Sequence, residues 1–205
     1  MSKASGSVSG RKRDAILVAA KQSFLERGFT ATNLDEVAEA AGVSKMTIYS
    51  HFTSKENLFV SVLQKVITER SAAGPPLDAD VKASRLQDAL VAIAADIVAT
   101  VQDPDVVGLR RVLIAEQPRH PELAAAWRRS TVLATVDELA DYLARLRTRG
   151  LIAVDDATML ARQLLWMLIG DPLDAALLTP DAERTSATVH ASQAVRTVLA
   201  AYGRP

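Results

Sequence analysis

The densest run of chemistry-bearing side chains lies between residues 45 and 55, where Lys45, Thr47, Tyr49, Ser50, His51 and Lys55 fall within eleven positions. Ammonium, hydroxyl and imidazole groups on one surface are donors of the kind that phosphate oxygens and base edges accept. Nothing comparable supports catalysis. His51, His120 and His190 are far apart, and none belongs to a His-Glu-x-x-His arrangement, so a zinc site local in sequence is absent. The chain has no cysteine, which excludes disulfides, thiolate metal sites and cysteine nucleophiles. Gly6-Ser7-Val8-Ser9-Gly10 places valine where a nucleophile elbow needs serine, and no Gly-rich phosphate loop follows a strand pattern. No catalytic residue, metal or cofactor is expected; an enzyme would have to assemble its site from distant residues.

A second group of candidates is apolar. Trp127 and Trp166 are the two tryptophans, each among Ala or Leu with a polar neighbour, Arg128 or Gln163. Small-molecule pockets are mostly apolar with a few orienting polar groups, so Trp127, Arg128 and Trp166 are candidate ligand contacts. Large aromatics in amphipathic helices also fill cores or subunit interfaces, and the residues alone leave that reading open. Asp96, in the apolar run Val91 to Val98, can face solvent, pair with an arginine or meet a ligand.

The elements that must position these groups are helical. With 205 residues, nearly half of them apolar, and only nine Gly and eight Pro, the composition favours an all-α protein. Ile16, Ala19, Ala20 and Phe24 repeat at helical spacing from Arg13 until Gly28. Asn33 with Glu36 predicts a capping box before the stripe Leu34, Val37, Ala38 and Ala41, which stops at Gly42. Ser44 caps a two-turn helix through His51 that buries Ile48 and Phe52. Thr53 with Glu56 opens a fourth helix carrying Leu58, Phe59, Val62, Leu63 and Val66. Gly74-Pro75-Pro76 marks a boundary, giving domains at 1–73 and 74–205. Beyond it, helical patterns run near 80 to 101, 104 to 117, 120 to 149, 155 to 178 and 181 to 202, about nine helices in all, with Asp171-Pro172 expected to kink or end one of them.

Net charge is zero but uneven. Residues 1–70 carry ten Lys/Arg against seven Asp/Glu, and residues 71–205 carry fourteen against seventeen. Lys3, Arg11, Lys12 and Arg13 precede the first acid, Asp14, as a basic arm that can lie on phosphates or simply be solvated. The Ser/Gly-rich start lacks a signal-peptide core, and no run of eighteen apolar residues follows, so the expected location is the cytoplasm, off the membrane.

A short helix, a Gly-containing turn and a second short helix with a polar face make a helix-turn-helix. Gly28-Phe29-Thr30-Ala31-Thr32, then residues 34–45 as LDEVAEAAGVSK, then Thr47-Ile48-Tyr49-Ser50-His51-Phe52 with Lys55 and Leu58, resemble the DNA-binding signature of the tetracycline-repressor (TetR) family. Ile114 to Leu123 is similar to a segment in some members' C-terminal domains. The resemblance implies a three-helix DNA-binding domain followed by a helical ligand-binding and dimerisation domain. By position it assigns phosphate contacts to Thr32, Tyr49, His51 and Lys55, and base-edge contacts to Lys45, Met46 and Thr47, beside Ser44. Met46 departs from the small residue or Pro common there and could meet a thymine methyl. It further implies a homodimer through about residues 155–202, double-stranded operator DNA and a small-molecule effector as partners, and most often repression. A non-DNA helical adaptor, an activator of the same fold and an enzyme are the competing readings.

Overall fold

The computed structural model describes residues 8–71, 81–179, 181 and 183–204. Among them the chain is helical, without strands; one isolated antiparallel bridge joins Ile152 to Gly203. The helices are α1 (Val8–Ala31), α2 (Leu34–Ala40), α3 (Lys45–His51), α4 (Lys55–Ser71), α5 (Leu86–Val101), α6 (Pro104–Glu116), α7 (Pro121–Trp127), α8 (Ala134–Thr148), α9 (Ala157–Leu178) and α10 (Ala187–Tyr202). The pattern near 120 to 149 is divided, because a π-helical stretch, Arg128–Leu133, stands between α7 and α8. Lys3 and the Gly74-Pro75-Pro76 boundary lie outside the described residues.

Two compact units emerge, and neither is continuous in sequence. The first contains Met1–Ile67 and Gly108–Trp127; the second contains Thr68–Val107 and Arg128–Pro205. The segment Gly108–Trp127, which the sequence placed with the C-terminal domain, therefore packs with the N-terminal helices.

In the first unit, Ile16, Leu17, Ala20 and Phe24 of α1 meet Val37 of α2, Ile48 of α3 and Leu58, Phe59 and Leu63 of α4, all buried. Phe24, Phe29 and Phe59 form a ring cluster with centroids 5.0 to 5.9 Å apart, two of the three contacts edge-on as aromatic quadrupoles prefer. Helix α1 starts at Val8, so Arg11, Lys12 and Arg13 are exposed helical residues rather than an arm. Gly28, at φ 79°, breaks the helix where the sequence predicted a stop. Asn33 caps α2 by accepting from Asp35 N at 2.9 Å, but Glu36 pairs with Arg27 instead of closing the capping box. At α4 the hydroxyl accepting from the first turn belongs to Ser54, not Thr53: it takes Asn57 N at 3.2 Å. Gly108 of α6 approaches α1 so closely that a Cβ there would stand 2.7 Å from Leu25 Cδ2.

In the second unit, α5, α8, α9 and α10 enclose one core that includes Leu90, Val98, Leu143, Leu164, Leu168 and Val195. Asp156 caps α9 through Met159 N at 2.8 Å. Helix α9 continues past Pro172 to Leu178, so the proline does not end it. Proline removes one backbone bond, and the burial of Pro172 beside Leu168 and Ile169 offsets that loss. Asp96 is half-buried on α5: burial raises its pKa, against the lowering effects of the Ser71 hydroxyl and nearby Arg70.

Candidate nucleic-acid interface

Helix α3 buries Ile48 and sets Phe52 beneath its C-terminal end, which turns its other side outward. Ser44 fixes its start: the hydroxyl accepts from Thr47 N at 3.2 Å and lies 2.9 Å from Thr47 Oγ1. The turn before it passes through Gly42 at φ 64°, a left-handed conformation that glycine adopts without a Cβ penalty. Lys45, Met46, Tyr49 and Ser50 are exposed as a result, with Met46 at 76% and Tyr49 at 44%. A ten-ångström-wide helix bearing such a row fits a major groove.

The assigned contact residues differ in how available they are. Lys45 Nζ donates to Asp35 Oδ2 at 2.9 Å, a hydrogen bond that raises its pKa. Tyr49 and Met46 point outward, and His51 is half-buried with its ring 6.2 Å from Phe52. Thr32 is only 4% exposed, and its hydroxyl is committed inside, donating to Gly28 O at 2.7 Å and accepting from Ser23 Oγ at 3.1 Å. Lys55 is partly buried, donates to Thr30 O at 3.2 Å and sits 4.9 Å from the Phe29 centroid. Burial lowers its pKa against the opposing effects of Glu56 and Glu116. Arg13, 5.2 Å from the Phe52 centroid, brings a further cation beside this helix.

Sequence reasoning missed the clamp behind this surface. Glu116 accepts from Thr30 N at 3.2 Å through Oε1 and from Thr30 Oγ1 at 2.9 Å through Oε2. Desolvation opposes its charge, but the two Thr30 bonds, with Arg119 and His120, hold its carboxyl below the ordinary range. His120 stacks edge-on against Phe29 at 5.0 Å, and its Nδ1 lies 3.2 Å from Glu122 Oε1. Glu56 joins His120 and Glu122 within 4.8 Å, a trio that could offer metal ligands and in which Glu56 lies more than sixty positions from the other two. The one available signal was the stretch Ile114 to Leu123.

The candidate ligand contacts also separate. Trp127 is buried, Arg128 is exposed, and Trp166 is 49% exposed on α9. The cation over Trp127 is Arg110, 5.5 Å from its centroid and seventeen positions upstream.

Comparison with known proteins supplies the deciding observation. Residues 16–62 match the family described as bacterial regulatory proteins, tetR family, and residues 88–204 match the AefR-like transcriptional repressor, C-terminal domain. The chain belongs to the TetR family. A TetR-family transcriptional regulator from Mesorhizobium loti is 31% identical, with TM-score 0.81 over 97% of this chain and 100% of its own. The flavonoid-responsive regulator FrrA is also 31% identical, with TM-score 0.74 over 95% of this chain and 98% of its own. Among curated relatives, the transcriptional activator FasR of Mycolicibacterium smegmatis is 46% identical over 54 residues, 26% of this chain and 25% of FasR. RutR of Escherichia coli is 45% identical over 65 residues, 32% of this chain and 30% of RutR. This TetR-family chain thus matches these curated relatives over less than a third of their length. Among its described residues no helix is long and apolar enough to cross a membrane.

Proposed function

We propose that this TetR-family chain is an effector-responsive repressor that binds a palindromic operator as a homodimer in the cytoplasm, without catalytic activity. The observation that carries operator binding is the outward row Lys45, Met46 and Tyr49 on a helix seated by Ser44 and Ile48. Repression follows the match of residues 88–204 to the AefR-like repressor domain, and effector response is supported by the likeness to flavonoid-responsive FrrA. Tyr49 and His51 are assigned to phosphates, and Lys45, Met46 and Thr47 to base edges. Lys55 contributes through donors not spent on Thr30, and Thr32 acts by shaping the turn.

The dimer face is assigned to α9 and α10, where Met159, Trp166, Met167 and Val189 are exposed. Leu164 and Val195 of the same helices are at most 3% exposed within one protomer and belong to its own core. Glu116 is the route by which an effector acts, since α6 holds Thr30 at the entry to the helix-turn-helix. Selection of genomic fragments followed by mobility shifts tests this reading. A palindromic duplex should shift as a dimer complex, with affinity falling steeply in salt as counterions are released. An adaptor would be indifferent to duplex and would displace the proposal.

A further inference from the structure

Within the first unit, Arg110 of α6 is largely withdrawn from water, yet among the described residues no carboxylate, carbonyl or hydroxyl accepts a hydrogen bond from it. Burial pushes its pKa down, and among the described residues no acid restores it. A guanidinium stays charged in proteins and carries five N–H donors in a planar fork that fits an oxyanion edge-on. The Trp127 ring covers one face of it at 5.5 Å, but a π face leaves the in-plane donors unmet. A desolvated cation with an aromatic wall and no counter-ion among the described residues is a half-built ion pair.

We infer that Arg110 and Trp127 form the anion-binding end of the effector site, and that the effector is a largely apolar small molecule bearing a carboxylate, sulfonate or phenolate. The inference rests on the effector-responsive reading above and names its ligand class. The anion lies in the guanidinium plane, accepts a bidentate pair of hydrogen bonds, and places its apolar body against Trp127. Arg110 is six residues, roughly 9 Å along the helix, from Glu116, so an anion that draws on Arg110 loads the same helix that holds Thr30.

The test uses the full-length protein and two dyes that differ in charge, 8-anilinonaphthalene-1-sulfonate and neutral N-phenyl-1-naphthylamine, titrated by fluorescence. The wild type should bind the sulfonate at least about tenfold tighter than the neutral dye. Arg110→Met should lose that preference while holding the neutral dye within about twofold, and Arg110→Lys, a cation without the planar fork, should keep only part of it. Decanoate should displace the sulfonate and raise the melting temperature; decan-1-ol should do neither. Equal binding of the two dyes by wild type, or undiminished sulfonate binding by Arg110→Met, overturns the inference. If Arg110→Met proves poorly folded by circular dichroism, Arg110→Lys and the decanoate arm decide, and failure of decanoate to stabilise the wild type overturns it. Operator affinity is measured separately: an anion bound at Arg110 that leaves it unchanged would sink the effector-responsive reading while the anion site stood.

Discussion

Lys45 is held by Asp35, so the base contact proposed for it requires exchange of an internal carboxylate for a nucleic-acid acceptor. The pair is exposed and screened by solvent, which makes the exchange easy. Asp35→Asn should therefore tighten binding to all duplexes by several-fold, whereas Lys45→Ala should change preference among sequences; competition binding across a panel of operators measures both. Tyr49→Phe should weaken every duplex similarly. Glu116 gives a pH signature. Its folded pKa lies below the ordinary 4.5, so its contribution is complete above that value and is lost as pH falls through the folded one. The stability gap between wild type and Glu116→Gln, no more than about 1 kcal/mol after solvent screening, should be constant from pH 7 to 5 and close below about 4.5. A gap that widened in acid would remove Glu116 from this role. The sequence revealed Lys45, Met46 and Tyr49 because helical spacing from the buried Ile48 fixes which side they occupy. It did not show that Thr32 is buried, since burial depends on the packing of α1 against α2 and no local pattern records that.

Helices α9 and α10 show how an apolar surplus divides between one chain's core and its exposed surface. Leu160, Leu164, Leu165 and Leu168 are spent inside the protomer, and Met159 and Trp166, two turns apart, remain outside with Val189. The predicted helices themselves were largely correct because their apolar period is strong, but period alone cannot tell a core stripe from an interface stripe on the same helix. Trp166→Glu should give folded monomers by light scattering with little change in secondary structure. Leu164→Glu should instead unfold the chain, since burying an unpaired carboxylate costs several kcal/mol. Folded dimers from Trp166→Glu would move the interface elsewhere. Ser44→Ala should cost about 1 kcal/mol and loosen the start of α3, read by thermal unfolding and reduced operator affinity.

For the molecule as a whole, coupling between effector and operator must be reciprocal. A free energy of about 1–3 kcal/mol corresponds to roughly 5- to 150-fold changes, equal in both directions. Titrating operator with saturating decanoate, and decanoate with saturating operator, should give the same factor; Glu116→Ala should shrink it in both. Unequal factors would show that a third equilibrium, such as dimer dissociation, intervenes. The sequence placed the domain boundary at one glycine-proline break because composition is read along a line, whereas the compact units are assembled from segments that are not neighbours in the chain. That assembly matters to anyone building chimaeric regulators. A reading head cut at the end of the helix-turn-helix and grafted onto a foreign sensor would leave behind Gly108 against Leu25, His120 against Phe29 and the carboxylate that holds Thr30. The transplantable piece is therefore the head together with residues 108–127, two lengths of chain that must be exchanged at once.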